Sequence, residues 1–369
     1  MIHDNDNNNE TGAGAGGDKQ TILPEIETLA THRFAPIRDG ITIDPEDTGD
    51  TRGFGVPDLD NRDWLVRIRA RAALVRNPDA TINEGLRLLA HSSVEVRAAG
   101  AEALGILGVR EARTELEDLV RSDPDTIVRC SAANSLGEIG DPAAIPALTA
   151  ALEREEHRDV VPQLQIARNR LSREHPSFDD TLRDVYSRLD PGAVRRVQVG
   201  DRVEALEFTR TDGSQWSWRA GTHPVVLVWV FADWCPVCHT EFHDLIAMRS
   251  RFSETSAEIA TVECHDLYRC RVMAGLEPKP GYWFGERFSD LSYSTGLWWP
   301  HLSDPAGAVG VQFGIDPLAF AVHSEFINRP TTVVIDRNGT VRMLHRGTYW
   351  GDRPTMQELL EQAELLDKG

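Results

Sequence analysis

Apolar residues in the first half of the chain recur at helical spacing, and the pattern itself repeats. Residues 96–108 carry a Val-Arg pair, an apolar face and then Leu-Gly-x-Leu-Gly, and residues 128–140 carry the same features 32 positions later. The spacing within each copy predicts a helix that ends at the final glycine, followed by a second helix. Weaker copies cover residues 66–89 and 160–189. Such a period predicts about four stacked helix pairs, in which each pair covers the apolar face of the next.

The second half of the chain changes to short apolar strands that alternate with helices. Residues 225–231 are apolar throughout, which is typical of a strand buried on both faces of a sheet. Residues 236–252 have the spacing of an amphipathic helix, and the turn sequences Thr-Asp-Gly and Arg-Asn-Gly predict two hairpins. The other predicted elements are strands at 203–209, 215–218, 259–264, 331–336 and 340–345, and helices at 306–313, at 354–366 and from Asp266.

These patterns predict a multidomain protein, with an all-α solenoid followed by an α/β sheet covered by helices on both sides. The helical domain is expected over residues 61–190, a linker over 191–202 and the α/β domain over 203–369. Residues 1–60 are expected to form a disordered or extended arm. Their first third is rich in Asn, Asp and Gly, and residues 21–60 are rich in Pro, Asp, Gly and Thr.

Composition and charge narrow the set of partners. The net charge of −19 disfavours binding to the phosphate backbone of a nucleic acid. The longest apolar run, residues 225–232, is much shorter than the roughly 20 residues that a membrane-spanning helix needs. No apolar stretch typical of an export signal occurs near the start, so we expect a cytoplasmic protein that binds neither nucleic acid nor membrane. In the reducing cytoplasm, the five cysteines are expected to be catalytic or metal-binding residues rather than members of a disulfide framework.

One pair of cysteines lies where a thiol becomes reactive. Cys235 and Cys238 follow the buried strand directly and begin the next helix. The amino end of a helix carries about half a positive charge and unpaired N–H groups, which favour a thiolate. Pro236 suits the first helical turn because no N–H donor is needed there. With two residues between them the sulfurs lie within bonding reach, so one cysteine can attack a substrate and the other can resolve the mixed disulfide.

Both halves of the chain resemble known families. The Val-Arg and Leu-Gly-x-Ile-Gly units resemble HEAT-like repeats over about residues 62–189. The strand–Trp-Cys-Pro-Val-Cys–helix arrangement resembles the thioredoxin superfamily over about residues 200–367. More narrowly, it resembles the redoxin branch that contains AhpC/TSA peroxiredoxins and thioredoxin-like reductases. Further segments that support this resemblance are 303–307, 329–332, 336–339 and 352–354.

The resemblance implies a thioredoxin-like fold with a substrate cleft beside the thiols. Trp234 and Pro236 are expected to line that cleft, and Pro330 is expected to be a cis proline next to the reactive thiol. Residues 275–301 are rich in aromatic side chains and form a longer connection than the fold requires. They are interpreted either as a wall of the substrate site or as a covering flap.

The resemblance leaves the attacking thiol open. Thioredoxin-like members use the first cysteine, here Cys235, whereas peroxiredoxins place their peroxide-reacting cysteine at the position of Cys238. The catalytic arginine of peroxiredoxins corresponds to Arg329, which would hold the thiolate and polarise the peroxide. The sequence departs from the peroxiredoxin pattern at two positions, since Cys235 replaces their threonine and Phe231 replaces the earlier proline of their loop.

The remaining cysteines and histidines admit several interpretations. Cys264 and Cys270 follow the second core strand and could form a second, relaying dithiol, or they could be ordinary thiols. His239, His243 and His265 could complete a zinc site with these cysteines, but their spacing matches no known zinc pattern. The sequence therefore predicts neither a metal nor another cofactor.

The favoured function is a thiol–disulfide oxidoreductase that uses Cys235 and Cys238, with the repeats as a protein-binding adaptor. One alternative is a thiol-dependent peroxidase that uses Cys238 and Arg329. Another is a non-catalytic redox sensor or scaffold. The expected partners are a protein bound to the repeats and an external thiol reductant, either thioredoxin or a low-molecular-weight thiol. A spacer role for the repeats is also considered.

Overall fold

The structure is a computed structural model in which a helical region precedes a mixed α/β region. It describes residues 22–31, 63–172, 182–188, 197–277, 293, 296–307, 309–313, 315, 320–322, 325–327, 329–347 and 351–367. Among these residues, none of the helices combines the length and the apolar character needed to cross a membrane.

Paired helices form the first region, in keeping with the repeat seen in the sequence. Neighbouring pairs pack side by side, and their contact surface is lined by small and aliphatic residues. The helices are α1 (Pro24–Leu29), α2 (Asp63–Arg76), α3 (Pro78–Leu88), α4 (Val94–Leu107), α5 (Arg113–Ser122), α6 (Thr126–Ile139), α7 (Ile145–Leu152), α8 (Val160–Ser172) and α9 (Leu182–Arg188).

Two of the repeat helices end at the predicted glycines, and polar side chains cap their first turns. Gly108 and Gly140 end α4 and α6 with φ of 65° and 72°, a backbone conformation that glycine adopts without strain. At the opposite ends, the side chains of Ser93 and Asp125 accept hydrogen bonds from backbone N–H groups of the first turn. The two glycine positions and the helix pairing are therefore as the sequence predicted.

The arginine of each Val-Arg pair ties its repeat to the next. Arg97 pairs with Asp123 at 2.8 Å and donates to the carbonyl oxygen of His91 at 2.9 Å. Arg129 repeats the arrangement, since it pairs with Glu155 at 2.8 Å and donates to the carbonyl oxygen of Asp123 at 2.9 Å. The 32-residue period thus appears in the structure as a ladder of equivalent ion pairs.

Part of the arm predicted to be disordered or extended is helical. Helix α1 lies within residues 21–60 and has Pro24 at its first helical position, where proline is favourable. Ile26 and Leu29 are fully buried against α2 and α4, and this burial explains why the short helix is ordered. Residues 1–20, predicted to be disordered, lie outside the described residues.

A seven-stranded mixed sheet forms the core of the second region. The strands of this region are β1 (Ala205–Arg210), β2 (Gln215–Arg219), β3 (Val225–Trp229), β4 (Glu258–Glu263), β5 (His301–Ser303), β6 (Phe320–Val322), β7 (Glu325–Ile327), β8 (Thr331–Ile335) and β9 (Val341–Arg346). The strand order in the sheet is β2-β1-β5-β4-β3-β8-β9; β4 is parallel to both β3 and β5, and the other pairs are antiparallel. The helices are α10 (Pro236–Ala247), α11 (Arg249–Phe252), α12 (Leu267–Met273) and α13 (Met356–Leu366).

Strand β3 is buried on both faces, as its unbroken apolar sequence predicted. Val226 and Val228 face the cluster formed with α10 and α13, whereas Leu227 and Trp229 face the opposite cluster. The alternation follows from the two-residue period of a strand. The end of β3, where the two cysteines follow, is therefore fixed from both sides.

Several elements differ from the sequence-based prediction. The predicted helix at 306–313 consists of two 3-10 turns, Pro305–Gly307 and Gly310–Phe313, and the helix predicted over 236–252 is interrupted at Met248. The sequence analysis missed β5, which lies between β1 and β4 in the sheet. This strand has only three residues, two of them polar, so its sequence carries no strand pattern and its pairing comes from the tertiary fold. The β6–β7 hairpin was also missed.

The two regions meet through α8 and the start of α12. Arg170 forms ion pairs with Asp266 of the sheet region and, at 2.6 Å, with Glu138 of the helical region. Its guanidinium also lies over the ring of Tyr268 at 5.6 Å from the ring centre. Ile166 belongs to the apolar cluster that includes the two cysteines of the motif. The helical region is therefore a packing partner of the sheet region.

Candidate active site

The dithiol lies at the junction between a central strand and a helix. Residues 230–234 connect β3 to α10, Cys235 caps the helix with φ of −74° and ψ of 119°, and Pro236 occupies the first helical position. Cys238 follows in the first turn. No disulfide joins any of the five cysteines. The structure therefore places the motif at the helix end, as the sequence predicted.

Both sulfurs are buried in an apolar environment. Cys235 is 2% exposed and Cys238 is fully buried, within a cluster that includes Phe231 and Phe242. Burial alone disfavours a thiolate, because the anion loses its solvation. The position at the helix end is therefore not sufficient for reactivity, and specific donors have to compensate for the lost solvation.

The sulfur of Cys238 accepts hydrogen bonds from several such donors. The backbone N–H of Phe231 donates to its sulfur at 3.3 Å, and Nη1 of Arg353 donates at 3.5 Å. Burial acts to raise the pKa of Cys238, but the thiol of Cys235, Arg353 and the backbone N–H groups of Ala232 and Phe231 together lower it to about 5. Cys238 is therefore a thiolate at neutral pH.

Cys235 has the opposite character. Burial raises the pKa of its thiol well above the ordinary value, and the neighbouring Cys238 raises it further. A protonated Cys235 can donate its S–H to the thiolate of Cys238. The pair therefore carries one negative charge at neutral pH, and this charge lies on Cys238.

Arg353 is the guanidinium that lies against the thiolate, and sequence analysis gave it no role. Its Nη1 also forms a 2.5 Å ion pair with Glu241 on α10, and both side chains are almost completely buried. Burial raises the pKa of Glu241 to about 8, although Arg353 acts to lower it. Arg353 therefore lies between Glu241 and Cys238 and donates from the same nitrogen to both side chains. The only earlier signal was the Asp-Arg-Pro segment before the last helix.

Arg329, the candidate catalytic arginine, lies in a different environment. It is fully buried, and its Nε donates to the carbonyl oxygen of Gly347 at 2.5 Å. The backbone of Gly347 in turn donates to the carbonyl oxygen of Pro330 at 2.7 Å. These contacts connect the segment before β8 to the end of β9. The catalytic role of Arg329 stays a prediction.

The prediction of a cis proline at 330 is wrong, because no cis peptide bond occurs among the described residues, and both Arg329 and Pro330 are among them. The trans form is the lower-energy state of an X–Pro bond. Trp234, predicted to line a substrate cleft, is 4% exposed and packs edge to face on Phe231 with ring centres 5.9 Å apart. Pro236 is partly exposed. The substrate role of these two residues stays a prediction.

Hydrogen bonds and an ion pair fix the loop before the helix. Nε2 of His239 donates to the carbonyl oxygen of Asp233 at 2.7 Å, so its Nδ1 accepts from the hydroxyl of Tyr293 at 2.5 Å. The carboxylate of Asp233 pairs with Arg269 on α12, with Nε to Oδ2 at 2.9 Å. Tyr293, Trp298 and Trp299 are described members of the aromatic segment, and residues 278–292 lie outside the described residues.

The second pair of cysteines lies behind this loop. Cys264 follows β4 directly and is 6% exposed, and Cys270 is fully buried in α12. Burial raises the pKa of Cys270 well above the ordinary value, so this thiol is a poor nucleophile at neutral pH. The second dithiol stays a prediction that this geometry does not favour.

The fold and the site together define a redoxin domain of the thioredoxin-like class. Residues 199–344 match the model of the AhpC/TSA family, and residues 58–129 and 86–165 match the model of HEAT repeats. The C-terminal region is thus an AhpC/TSA-family domain preceded by HEAT repeats, as the sequence analysis predicted. This domain places the protein among thiol oxidoreductases and thiol peroxidases.

Several solved structures are similar to this chain. Peroxidoxin BcpB from Mycobacterium tuberculosis is 20% identical, with 47% of this chain and 97% of that chain covered and a TM-score of 0.35. The reduced 2-Cys peroxiredoxin of Plasmodium vivax is 17% identical, with 47% and 83% covered and a TM-score of 0.35. AhpC of Enterococcus faecalis is 17% identical, with 46% and 92% covered and a TM-score of 0.35. No curated protein matches the chain.

Proposed function

We propose that the protein is a thiol-dependent peroxidase in which Cys238 attacks and Cys235 resolves. The observation that carries this proposal is the asymmetry of the two thiols. The pKa of Cys238 is lowered to about 5 by donors that include Arg353, whereas that of Cys235 is raised. The choice reverses the preference of the sequence analysis, which favoured dithiol–disulfide exchange and left the attacking thiol open.

The reaction has three steps. The Cys238 thiolate attacks one peroxide oxygen, the O–O bond breaks, and the leaving oxygen takes a proton, so that Cys238 becomes a sulfenic acid and the peroxide becomes an alcohol or water. The thiol of Cys235 then displaces the hydroxyl group as water and forms the Cys235–Cys238 disulfide. An external dithiol reduces this disulfide and returns both thiols. In the first step Arg353 can stabilise the negative charge that develops on the oxygen.

Burial of the sulfurs supports a small substrate. A protein disulfide has to bring its own sulfur and the adjoining backbone against Cys238, which has no exposed surface. Hydrogen peroxide is close to water in size, so a far smaller opening admits it. Dithiol–disulfide exchange with a protein client is the second candidate, and a client would approach the dithiol past the partly exposed Pro236 and Val237.

The experiment compares three full-length variants during peroxide consumption with a dithiol reductant. Cys238→Ser should abolish catalysis, Cys235→Ser should react once and stop at the sulfenic acid, and Cys270→Ser, a buried-thiol control, should retain the wild-type rate. Peroxide consumption that survives Cys238→Ser would refute the proposal. Insulin reduction by the wild type without peroxide consumption would favour disulfide exchange. A stoichiometric disulfide without turnover would favour a redox sensor.

The repeats are proposed to bind a protein partner with the part of the solenoid that does not contact the redoxin domain. HEAT repeats suggest protein interaction, and α8 already uses one face for the redoxin domain. A charged cleft between repeats is lined by Arg121, Asp123, Arg129, Arg154 and Glu155. Capture experiments with the full chain, compared with an Arg121→Glu/Arg154→Glu variant, test this surface. Equal capture by both proteins would argue against it.

A further inference from the structure

A compact group of side chains that can act as metal ligands lies at the carboxyl end of β4, outside the dithiol. Glu263, Cys264 and His265 each offer one ligand atom, and these atoms lie within 4.8 Å of one another. Glu263 is fully buried, Cys264 is 6% exposed, and the side chain of His265 is 12% exposed. Three different donor types therefore converge in a volume that is nearly closed to solvent.

The carboxylate of Glu263 is incompletely satisfied by the protein. Its Oε1 accepts from Nδ1 of His265 at 2.6 Å, but its Oε2 accepts no hydrogen bond from the described residues, although it is buried. A buried polar atom without a partner costs about 1–3 kcal/mol, and more when it is charged. A bound cation would remove this cost.

The surrounding charges match a divalent ion. The carboxylate of Asp233 and the guanidinium of Arg269 form a buried ion pair beside Glu263, and together they are neutral. A thiolate at Cys264 and a carboxylate at Glu263 add two negative charges, while His265 binds a metal as the neutral imidazole. One divalent cation therefore brings the group to electrical neutrality, which a buried site requires.

The donor set selects the type of metal. A thiolate, an imidazole and a carboxylate are typical ligands of Zn²⁺, whereas Mg²⁺ and Ca²⁺ prefer oxygen ligands alone. Three protein ligands also match the zinc sites that keep a fourth position for water or another ligand. We propose that Glu263, Cys264 and His265 form a Zn²⁺ site behind the redox loop, which is the segment of residues 230–234 between β3 and α10.

The proposed site lies next to the redox loop. Strand β4 runs parallel to β3, and the N–H of Val230, the first residue after β3, donates to the carbonyl oxygen of Val262 at 2.9 Å. No metal was predicted from the sequence, because the spacing of His239, His243, His265 and the cysteines matches no known zinc pattern. Here the three ligands are consecutive, and the bend at the end of β4 brings them together.

Cobalt(II) is the probe for this site, because a thiolate ligand gives Co²⁺ a ligand-to-metal charge-transfer band. The full-length reduced protein, stripped with a chelator, should bind one equivalent of Co²⁺, and Zn²⁺ should displace it. Cys264→Ser should abolish the charge-transfer band. Glu263→Gln, which keeps the size of the side chain, should weaken Co²⁺ binding by about tenfold or more while retaining the band.

Two control variants separate this site from the other thiols. Cys270→Ser removes a neighbouring buried thiol, and Cys235→Ser/Cys238→Ser removes the redox dithiol; both should keep the band. The proposal is overturned if the stripped protein binds no Co²⁺, or if the band survives Cys264→Ser and disappears with the dithiol. Circular dichroism identifies variants that do not fold. If Cys264→Ser does not fold, the strength of Co²⁺ binding by Glu263→Gln tests the proposal instead. The result is independent of peroxidase activity.

Discussion

Cys235 and Cys238 have opposite ionisation although only two residues separate them. The helix end acts on both thiols, so it does not explain the difference. The difference comes from hydrogen bonds that end on the sulfur of Cys238, which are donated by the thiol of Cys235, the guanidinium of Arg353 and the backbone N–H of Phe231. Burial strengthens these interactions because the surrounding dielectric is low.

The first prediction concerns Arg353. Arg353→Met removes a positive charge from the thiolate, so the pKa of Cys238 should rise and the pH at which peroxide reduction reaches half its maximum should rise with it. At neutral pH the second-order rate constant with peroxide should fall by about 100-fold. Stopped-flow kinetics across pH measure both quantities.

Two further arginine variants serve as comparisons. Arg342→Met removes a side chain that is 56% exposed and should change neither quantity. Arg329→Met tests the role that the family resemblance implied. If the half-maximal pH rises with Arg329→Met and not with Arg353→Met, the assignment of the arginine is incorrect.

The second prediction separates the two roles of Cys235. Cys235→Ser keeps an O–H that can donate to the thiolate, whereas Cys235→Ala removes the donor. Loss of one hydrogen bond to a charged group should raise the pKa of Cys238 by about one to two pH units in the alanine variant only. Dimedone trapping should detect the sulfenic acid in both variants, since neither can close the disulfide. If the pKa of Cys238 were the same in the two variants, the S–H of Cys235 would not act as a donor to the thiolate.

At the level of elements, close helix packing in the solenoid depends on glycine. A Cβ atom at Gly105 would lie 2.7 Å from Oγ and 2.9 Å from Cα of Ser135, where α4 and α6 cross. Gly105→Ala should therefore lower the free energy of unfolding by about 1–3 kcal/mol. Urea denaturation measures the change. An unchanged or increased stability, as alanine gives in an uncrowded helix, would contradict this packing.

The junction between α8 and α12 gives the next prediction. Arg170→Met keeps an apolar side chain but leaves Glu138 and Asp266 without their shared partner, and removing one member of a buried pair costs about 3 kcal/mol or more. Arg121→Met, at a pair that is 56% exposed, should change stability by less than about 1 kcal/mol. Urea denaturation of the two variants measures the loss of unfolding free energy in each. Equal losses would indicate that the ion pairs of Arg170 contribute little to stability.

Elements with a strong local pattern were predictable from the sequence. The repeat helices and β3 have a regular pattern of apolar residues and marked ends, and the cysteine motif has a fixed position relative to both neighbours. Strand β5 and helix α1 are short and depend on what they pack against, so no local pattern marks them. Arg353 could not be assigned because its contact with Cys238 joins residues 115 positions apart.

At the level of the whole molecule, the solenoid and the redoxin domain form one packed unit. Arg170 joins α8 to Asp266, the backbone N–H of Arg269 donates to the same carboxylate, and the side chain of Arg269 pairs with Asp233 in the redox loop. A series of buried ion pairs thus runs from the repeats to the residues before Cys235. Through this continuity the helical region supports the thiol site.

The central claim is that Cys238, and not Cys235, carries the thiolate in the reduced protein. Ultraviolet absorbance of the thiolate, titrated in the full-length wild type, Cys235→Ser and Cys238→Ser proteins, tests it directly. A transition near pH 5 should occur in the wild type, persist in Cys235→Ser and vanish in Cys238→Ser. A transition at the ordinary cysteine pKa of about 8.5, or one that vanishes in Cys235→Ser instead, would contradict the account.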